Sequence, residues 1–202
     1  MVELTFLRHG RSQADDDDLF EGRYDSPLTE AGRQQALALL EKWKSQRQRN
    51  YDAVVTSPLQ RAVSTATLFA QHYGVPLTRD DLLMEMDAGQ LGGMKRTEGS
   101  KRFPPPPFNT PYDRIAGGSG ESVAQLHARA LLVIEAILNM GRHRYLVVAH
   151  GCILNAIIRA ILSMPVPTNQ SGGYLKLGDT GYLDASYDER VHSWTILGLH
   201  QG

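Results

Sequence analysis

Cysteine is nearly absent from this chain: a single one, Cys152, occurs in 202 residues. One thiol closes no internal disulfide and builds no cysteine-based zinc site, so a reducing compartment is the expected setting. Long apolar runs are missing as well. Segments such as Ala130–Ile134 fall far short of the roughly 20 residues that cross a bilayer. The opening Met1-Val2-Glu3-Leu4 has no basic stretch leading into an apolar one, as a secretory leader would. The expectation is a soluble, cytoplasmic protein with no membrane partner. Excess positive charge is also lacking, with 21 Lys and Arg against 22 Asp and Glu. Coating a phosphate backbone requires clustered basic residues, so a general nucleic-acid binder is excluded. What remains is ordinary globular composition, 42% hydrophobic and 21% charged, which excludes wholesale disorder. A chain of this length hides roughly 70% of its unfolded surface, enough to fold as one domain over 1–202 without staples.

Strand-like and helix-like segments alternate, which predicts an α/β layered domain. Leu4–Leu7 is a short β-prone run ending at Arg8-His9-Gly10. A helix is expected from Thr29, as its cap, to about Arg47, with Ala36, Leu39, Leu40 and Trp43 on one face. Asp52–Thr56 reads as a strand stopping at Ser57-Pro58, where Ser57 and Gln60 would form a capping box for a helix running to Tyr73. A further helix is expected from Ser122 to about Met140, then a strand at Tyr145–Ala149, then an apolar helix through Ile153 to Leu162. Tyr182–Ala185 and Val191–Leu199 read as a closing pair of strands. Between Gly89 and Gly120 periodicity is lost and Gly and Pro accumulate, so a lid-like loop around 90–120 is expected inside the domain.

Polar residues gather where the strands end. One end delivers Arg8 and His9, the next Ser57 with Arg61 a turn later, and the third His150. In open α/β sheets ligands bind beyond the carboxyl ends of the strands. Arginines, histidines and helix N-termini at one edge suit a dianion such as a phosphate monoester. Cys152 does not compete as a nucleophile, because the segment from it to Arg159 is apolar and glycine-free and cannot wrap an anion. The Gly117–Gly120 cluster fits neither a P-loop nor a dinucleotide fingerprint and reads as a lead into the helix at Ser122, with Glu121 near the pocket. His72, His127, His143, His192 and His200 read as surface or packing residues.

Ordered blocks then identify a family. Leu7-Arg8-His9-Gly10 is followed by Gly22, Asp25-x-Pro27-Leu28-Thr29, Gly32 and Gln35-Ala36, then Thr56-Ser57-Pro58-Leu59-x-Arg61-Ala62-x-x-Thr65-Ala66. Glu85, Gly89, Gly93, Gly120-Glu121-Ser122 and Val147-Val148-Ala149-His150-Gly151 complete the series. The set resembles the signature of the histidine phosphatase superfamily, also called phosphoglycerate-mutase-like. The likeness implies an α/β fold that is a three-layer α/β/α sandwich with a mostly parallel sheet and an antiparallel edge. The resemblance implies His9 as a nucleophile that becomes a phosphohistidine, and Arg8, Arg61 and His150 on the phosphoryl oxygens. It implies Glu85 as the acid that protonates the leaving group, partly desolvated and set away from the arginines. Asp15, Gly22, Ser57 and Gly151 are carried as substrate-binding positions. No metal and no cofactor are implied.

Two departures stand out. Asp15 occupies a position where family members commonly carry Asn, and an ionised carboxylate there would repel the phosphoryl group unless it turns away. Asp15–Asp18 is a run of four acids, read first as a solvated loop and second as a filter on substrate charge. The favoured function is a metal-independent hydrolase of a small phosphorylated metabolite. A cofactor-dependent phosphoglycerate mutase is the alternative, since Lys95, Arg96, Lys101, Arg102 and Arg114 follow Glu85 but do not match the mutase spacing closely. An idle module that binds a phosphorylated ligand or partner protein is the alternative of another class. A homodimer through a strand edge or helix face is compatible with the sequence but not required by it.

Overall fold

The computed structural model describes residues 1–45, 49–141, 143–168 and 173–202. Strands β1 (Val2–Arg8), β2 (Ala53–Thr56), β3 (Leu77–Arg79), β4 (Arg144–Ala149), β5 (Tyr182–Asp188) and β6 (Ser193–His200) form a six-stranded sheet in the order β3-β2-β4-β1-β5-β6. The pairings from β3 through β1 are parallel, and β5 and β6 are antiparallel. This is the α/β/α sandwich with an antiparallel edge that the sequence leads one to expect. β2 and β4 are buried on both faces, which is why each reads as an unbroken apolar run.

Helices cover both faces. On one side α2 (Glu30–Ser45) and α3 (Gln60–Tyr73) set Leu40, Trp43, Ala66 and Phe69 against Leu7, Val54, Leu146 and Val148. On the other, α5 (Val123–Leu138) and α6 (Gly151–Ile161) set Leu126, Val133, Ile153 and Ile157 against Phe6, Val55 and Val147. Each such buried aliphatic or aromatic side chain stabilises the sandwich by about 1.5–3 kcal/mol. Register turns this packing into a site. Arg8 pairs with Ala149 and Thr56 with Val148, so the three strands end level. The chain then continues in register for one more residue, His9 N–H donating to Ala149 O at 3.0 Å and Ser57 N–H to Val148 O at 3.1 Å.

Several boundaries differ from expectation for local reasons. Thr29 caps α2 as read, its Oγ1 accepting the Gly32 N–H at 3.0 Å, while the expected end at Arg47 lies outside the described residues. Ser57 does not cap α3. That helix begins at Gln60, and its cap comes from a distant carboxylate, Asp25, which accepts the Gln60 N–H at 2.7 Å. Ser122 does cap α5, with Gln125 closing the box. The 90–120 segment is less irregular than its composition suggests: α4 (Arg96–Arg102) lies within it, flanked by single 3-10 turns at Gly89–Leu91 and Ala116–Gly118. A four-residue helix, α1 (Gln13–Asp16), opens on Ser12 where a solvated loop was expected. β6 starts two residues after Val191 because the hairpin turn extends through His192.

The loop after His9 lies directly on the start of α2. A Cβ built on Gly10 would meet the Gly32 backbone, and one on Gly32 would overlap the backbone of Arg11. Backbone against backbone cannot yield by a rotamer change. Gly32→Ala is therefore expected to lower unfolding free energy by about 1–3 kcal/mol, the range for overpacking, measured by urea denaturation; an unchanged midpoint would show that the two segments separate freely.

Candidate active site

His9 leaves β1 at 1% exposure, in the row of strand ends described above. Its Nδ1 lies 2.7 Å from Gly10 O, a carbonyl that only accepts, so Nδ1 carries the hydrogen. Nε2 then holds a lone pair, and Arg61 Nε donates to it at 3.3 Å. Burial, followed by the Arg61 and Arg8 charges, pushes the imidazole pKa from 6.5 down to about 3. The ring is neutral, with its lone pair on the side of the guanidinium. The loop is held by α3 as well, because Gly10 N–H donates to Thr65 Oγ1 at 3.2 Å.

Arg61 is fully buried, which requires partners for the rest of its fork. Nη1 donates to Tyr24 O at 3.0 Å and Nη2 to Gly22 O at 2.9 Å. Gly22 meets this demand in the left-handed region, at φ 52°, where a Cβ would collide with Ala88. Arg8 is anchored by Leu177 O at 3.0 Å. His150, also fully buried, stands with its ring centroid 5.0 Å from that of His9. Its Nε2 lies 2.8 Å from Ser57 Oγ, while Nδ1 is buried without a partner. Burial, then Arg61, His9 and Arg8, hold the His150 pKa well below its ordinary value. Ser57 thus orients a histidine across the strand gap, and its Oγ also accepts the Leu59 N–H at 3.3 Å on the way into α3 without capping the helix itself.

Glu85 approaches from the other side. Its carboxylate accepts the backbone N–H groups of Cys152 and Ile153, both at 3.0 Å, and so sits on the N-terminus of α6 just beyond Gly151. Met86 N–H adds a third contact at 2.8 Å. The carboxylate is half-buried, while its backbone carbonyl faces arginines, accepting Arg129 Nη2 at 3.2 Å and Arg23 Nε at 3.4 Å. Arg129 had no signal in the matched motifs, yet it gathers this stretch of chain: it also donates to Leu82 O and Met84 O and pairs with Glu121 at 2.8 Å. Glu121 in turn accepts the Asp87 N–H at 3.1 Å, so it braces the Glu85 loop from behind. The Cys152 thiol faces Glu85, which with burial drives its pKa well up; it is not a thiolate.

These residues meet in a cleft of about 360 Å³. Arg8, His9, Asp15, Gly22, Glu85 and Gly151 line it, whereas Ser57, Arg61 and His150 are fully buried in the His9 cluster and do not line it. Phe20, Met86, Ile115, Tyr174 and Arg96 form its outer wall. Only the first member of the acidic run reaches the cleft. Asp16 pairs with Arg11 at 2.5 Å and Asp18 with Arg96 at 3.4 Å, both exposed, as a solvated run would be. Asp15 turns its Oδ2 onto Ser12, and Oδ1 lies 4.0 Å from Arg8. Burial alone would raise the Asp15 pKa, but the Ser12 hydrogen bonds and Arg8 outweigh it and hold it low.

Arg8 at the end of β1 and Arg61 in the first turn of α3 lead one to expect a strongly cationic hole, and the structure corrects this. Arg8 faces Asp179 at 3.4 Å as well as Asp15, and Arg61 faces Glu21 at 3.4 Å. Each guanidinium already has a carboxylate beside it. Neither Glu21 nor Asp179 stood out in sequence, because isolated acids in loops carry no periodicity or motif. Among the described residues no group of three or more His, Cys, Asp and Glu side chains is arranged to hold a metal ion, and no helix is long and apolar enough to cross a membrane.

Neutral buried histidines link stability to pH. Unfolded, each takes a proton below about pH 6.5, whereas folded His9 resists until about pH 3. Their stabilisation is therefore complete above pH 6.5 and is lost as pH falls toward 3, by up to about 1.4 kcal/mol per pH unit for each ring. His9→Gln is expected to make the decline of unfolding free energy between about pH 6 and 4 shallower by one such increment, measured by urea titration at each pH. An unchanged slope would mean that the folded ring is charged.

The family model of the histidine phosphatase superfamily (branch 1) matches residues 4–191. Curated relatives named probable phosphoglycerate mutase GpmB, from Salmonella choleraesuis and Salmonella paratyphi B, are 32% identical over 170 residues, covering 82% of this chain and 77% of theirs. A mycobacterial glucosyl-3-phosphoglycerate phosphatase, solved with VO3, superposes at TM-score 0.81 with 24% identity, covering all of both chains. Phosphoserine phosphatase from Entamoeba histolytica superposes at 0.74 with 22% identity over 100% of this chain and 98% of that one. The structural likenesses establish the shared fold, and the family match spans the blocks that carry His9, Arg61, Glu85 and His150. By that match this chain is a member of the histidine phosphatase superfamily, branch 1.

Proposed function

We propose that this chain hydrolyses a small phosphate monoester through a phosphohistidine on His9. The observation that carries the reading is the state of that ring: neutral, its Nδ1–H committed to Gly10 O and its Nε2 lone pair facing Arg61. Nε2 gives up the Arg61 N–H, which turns to the phosphoryl oxygens, and attacks phosphorus as the bond to the ester oxygen breaks, with Glu85 giving that oxygen its proton. Arg8 and the N–H groups of Arg61 not taken by Gly22 and Tyr24 hold the equatorial oxygens as charge moves onto them, and His150, its Nε2 accepting the Ser57 hydroxyl hydrogen, offers an Nδ1–H as a further donor. Glu85 then takes a proton from water, which attacks phosphorus and releases His9 and inorganic phosphate. Residues 1–202 act as one catalytic domain, with the 90–120 segment walling the leaving-group side through Arg96 and Ile115.

Phosphoryl transfer between two oxygens of a phosphoglycerate is the second reading, favoured by the name of the curated relatives. That reaction needs cations for a second anionic group. Lys95 donates to Asp17 O, Arg114 to Gly120 O, and Arg102 lies over Phe103, whereas Arg96 lines the cleft, stacked on Phe20 and paired with Asp18. The largely apolar wall favours the hydrolase.

Hydrolysis of p-nitrophenyl phosphate with a chelator present is expected to proceed in the wild type and to fall by about a thousandfold or more in His9→Ala. Equal rates would remove His9 from the nucleophile role, and loss of wild-type activity in chelator would overturn the metal-independent mechanism. Glu85→Gln is expected to cost roughly 10²–10⁴ on alkyl phosphates and much less on p-nitrophenyl phosphate, whose leaving group departs without a proton. Equal losses on both would take Glu85 out of the acid role. Phosphoglycerates scored for released phosphate against isomerised product separate hydrolase from mutase.

A further inference from the structure

A serine hydroxyl has one hydrogen to give and two lone pairs to fill. Ser12 Oγ accepts the Asp15 N–H at 3.1 Å and gives its hydrogen to Asp15 Oδ2 at 3.0 Å. Glu21 Oε1 makes a third hydrogen-bond contact with the same oxygen. With both acids ionised, two carboxylates share one hydrogen. With a proton on Glu21, the hydroxyl is satisfied on all three sides. The seat is a built one, since Ser26 Oγ, itself accepting the Ala14 N–H at 3.1 Å, approaches Glu21 Oε1 at 3.3 Å.

We propose that Glu21 is a further substrate-binding residue, one that takes up a proton as the phosphoryl group docks and meets it as a neutral carboxylic acid. The proposal rests on the anion pocket described above. Glu21 lines that cleft with its side chain 12% exposed. The charges facing it are Arg61 from α3 at 3.4 Å, Asp15 from α1 and Arg8 from β1. A dianion arriving between these arginines meets guanidiniums that carboxylates have already neutralised, and it adds to two negative charges. A proton on Glu21 removes one of those charges and frees Arg61 for the anion. Asp15 is less suited to this role, because its Oδ2 already accepts both the Ser12 N–H and the Ser12 hydroxyl. Burial also lifts the Glu21 carboxyl above its ordinary pKa, with Asp15 adding to burial and Arg61, Ser12 and Arg8 opposing it.

Tungstate is a suitable probe, since it is a dianion at neutral pH and carries no proton of its own into the site. Calorimetry of tungstate binding in buffers of different ionisation enthalpy counts the protons taken up. The wild type is expected to take up about one, with affinity falling by up to about tenfold per pH unit as pH rises. In Glu21→Gln the amide needs no proton, so the uptake disappears, the pH dependence flattens, and affinity near pH 8 exceeds that of the wild type. A merely structural glutamate would instead change affinity equally at every pH with the uptake intact. Uptake retained in Glu21→Gln assigns the proton to His9, His150 or Glu85 and overturns the proposal, as does a wild type that takes up none. Should Glu21→Gln fail to fold, Glu85→Gln protein labelled with carbon-13 at its glutamate carboxyls reads the same proton. One resonance must move to the protonated position on adding tungstate, and its absence overturns the proposal. A wild type that binds no tungstate at any pH overturns the anion pocket itself, and this inference with it.

Discussion

In the proposed mechanism an imidazole attacks phosphorus only while it is unprotonated, and the His9 ring must stay neutral next to two guanidinium groups. Burial meets the demand, because removing water from His9 makes its charged form too costly to populate. The same burial creates obligations elsewhere. A guanidinium shut away from water needs acceptors, and Arg61 finds them for part of its fork in the carbonyls of Gly22 and Tyr24 and in the ring of His9, with the remaining N–H groups left for an anion. The 22–24 turn is thus shaped by the arginine it serves. Asp25, at the end of that turn, caps the helix on which Arg61 rides. His9, Arg61, the 22–24 turn and the start of α3 are joined by one continuous set of hydrogen bonds.

Charge follows the same logic at longer range. Each cation near the cleft has a carboxylate, Arg8 with Asp179, Arg61 with Glu21, and Arg129 with Glu121 behind the Glu85 loop. Guanidiniums held in low-dielectric surroundings without counter-charges would repel one another at a cost that grows as the local dielectric falls. Compensation keeps the empty pocket stable and also means that an incoming anion must displace existing partners. Selectivity therefore lies in which partner yields, and the shared Ser12 hydroxyl marks Glu21 as the one whose charge can be removed by a proton.

Much of this was legible in the sequence, and the remainder was hidden for identifiable reasons. His9, Ser57 and His150 could be read because each directly follows a short apolar strand, and strand ends in an α/β sheet fall at one edge. Arg61 followed from its place one turn into a helix. β3 was missed because three partly exposed residues at a sheet edge leave no pattern. α1 and α4 are too short to show a 3.6-residue period. The cap of α3 is not readable locally: Ser57-Pro58 is a good start signal, but nothing in it reveals that His150 shares the Ser57 hydroxyl with Leu59 N–H or that Asp25 arrives from 35 residues away. Arg129 and Glu21 act through contacts across the fold, which motif spacing cannot register.

The two halves of the cleft are built differently, and this bears on what evolution can change. His9 and Ser57 extend the sheet by one residue each and His150 directly follows β4 as the N-cap of α6, so their spacing is set by strand pairing and moves only if the core moves. The opposite wall hangs from the 90–120 segment through isolated bridges, Leu19 with Lys95 and Arg114 with Ser122, and through Arg96 stacked on Phe20. Under the proposed function, substituting Ile115, Arg96 or Tyr174 would alter which leaving group fits without disturbing the His9 side of the cleft. Glu21 belongs to neither half alone: it is fixed by Ser12 and Ser26 on the loop side and faces Arg61 on the sheet side. A proton taken there changes the charge of the rigid half without requiring it to move, which suits a site whose geometry the sheet holds fixed.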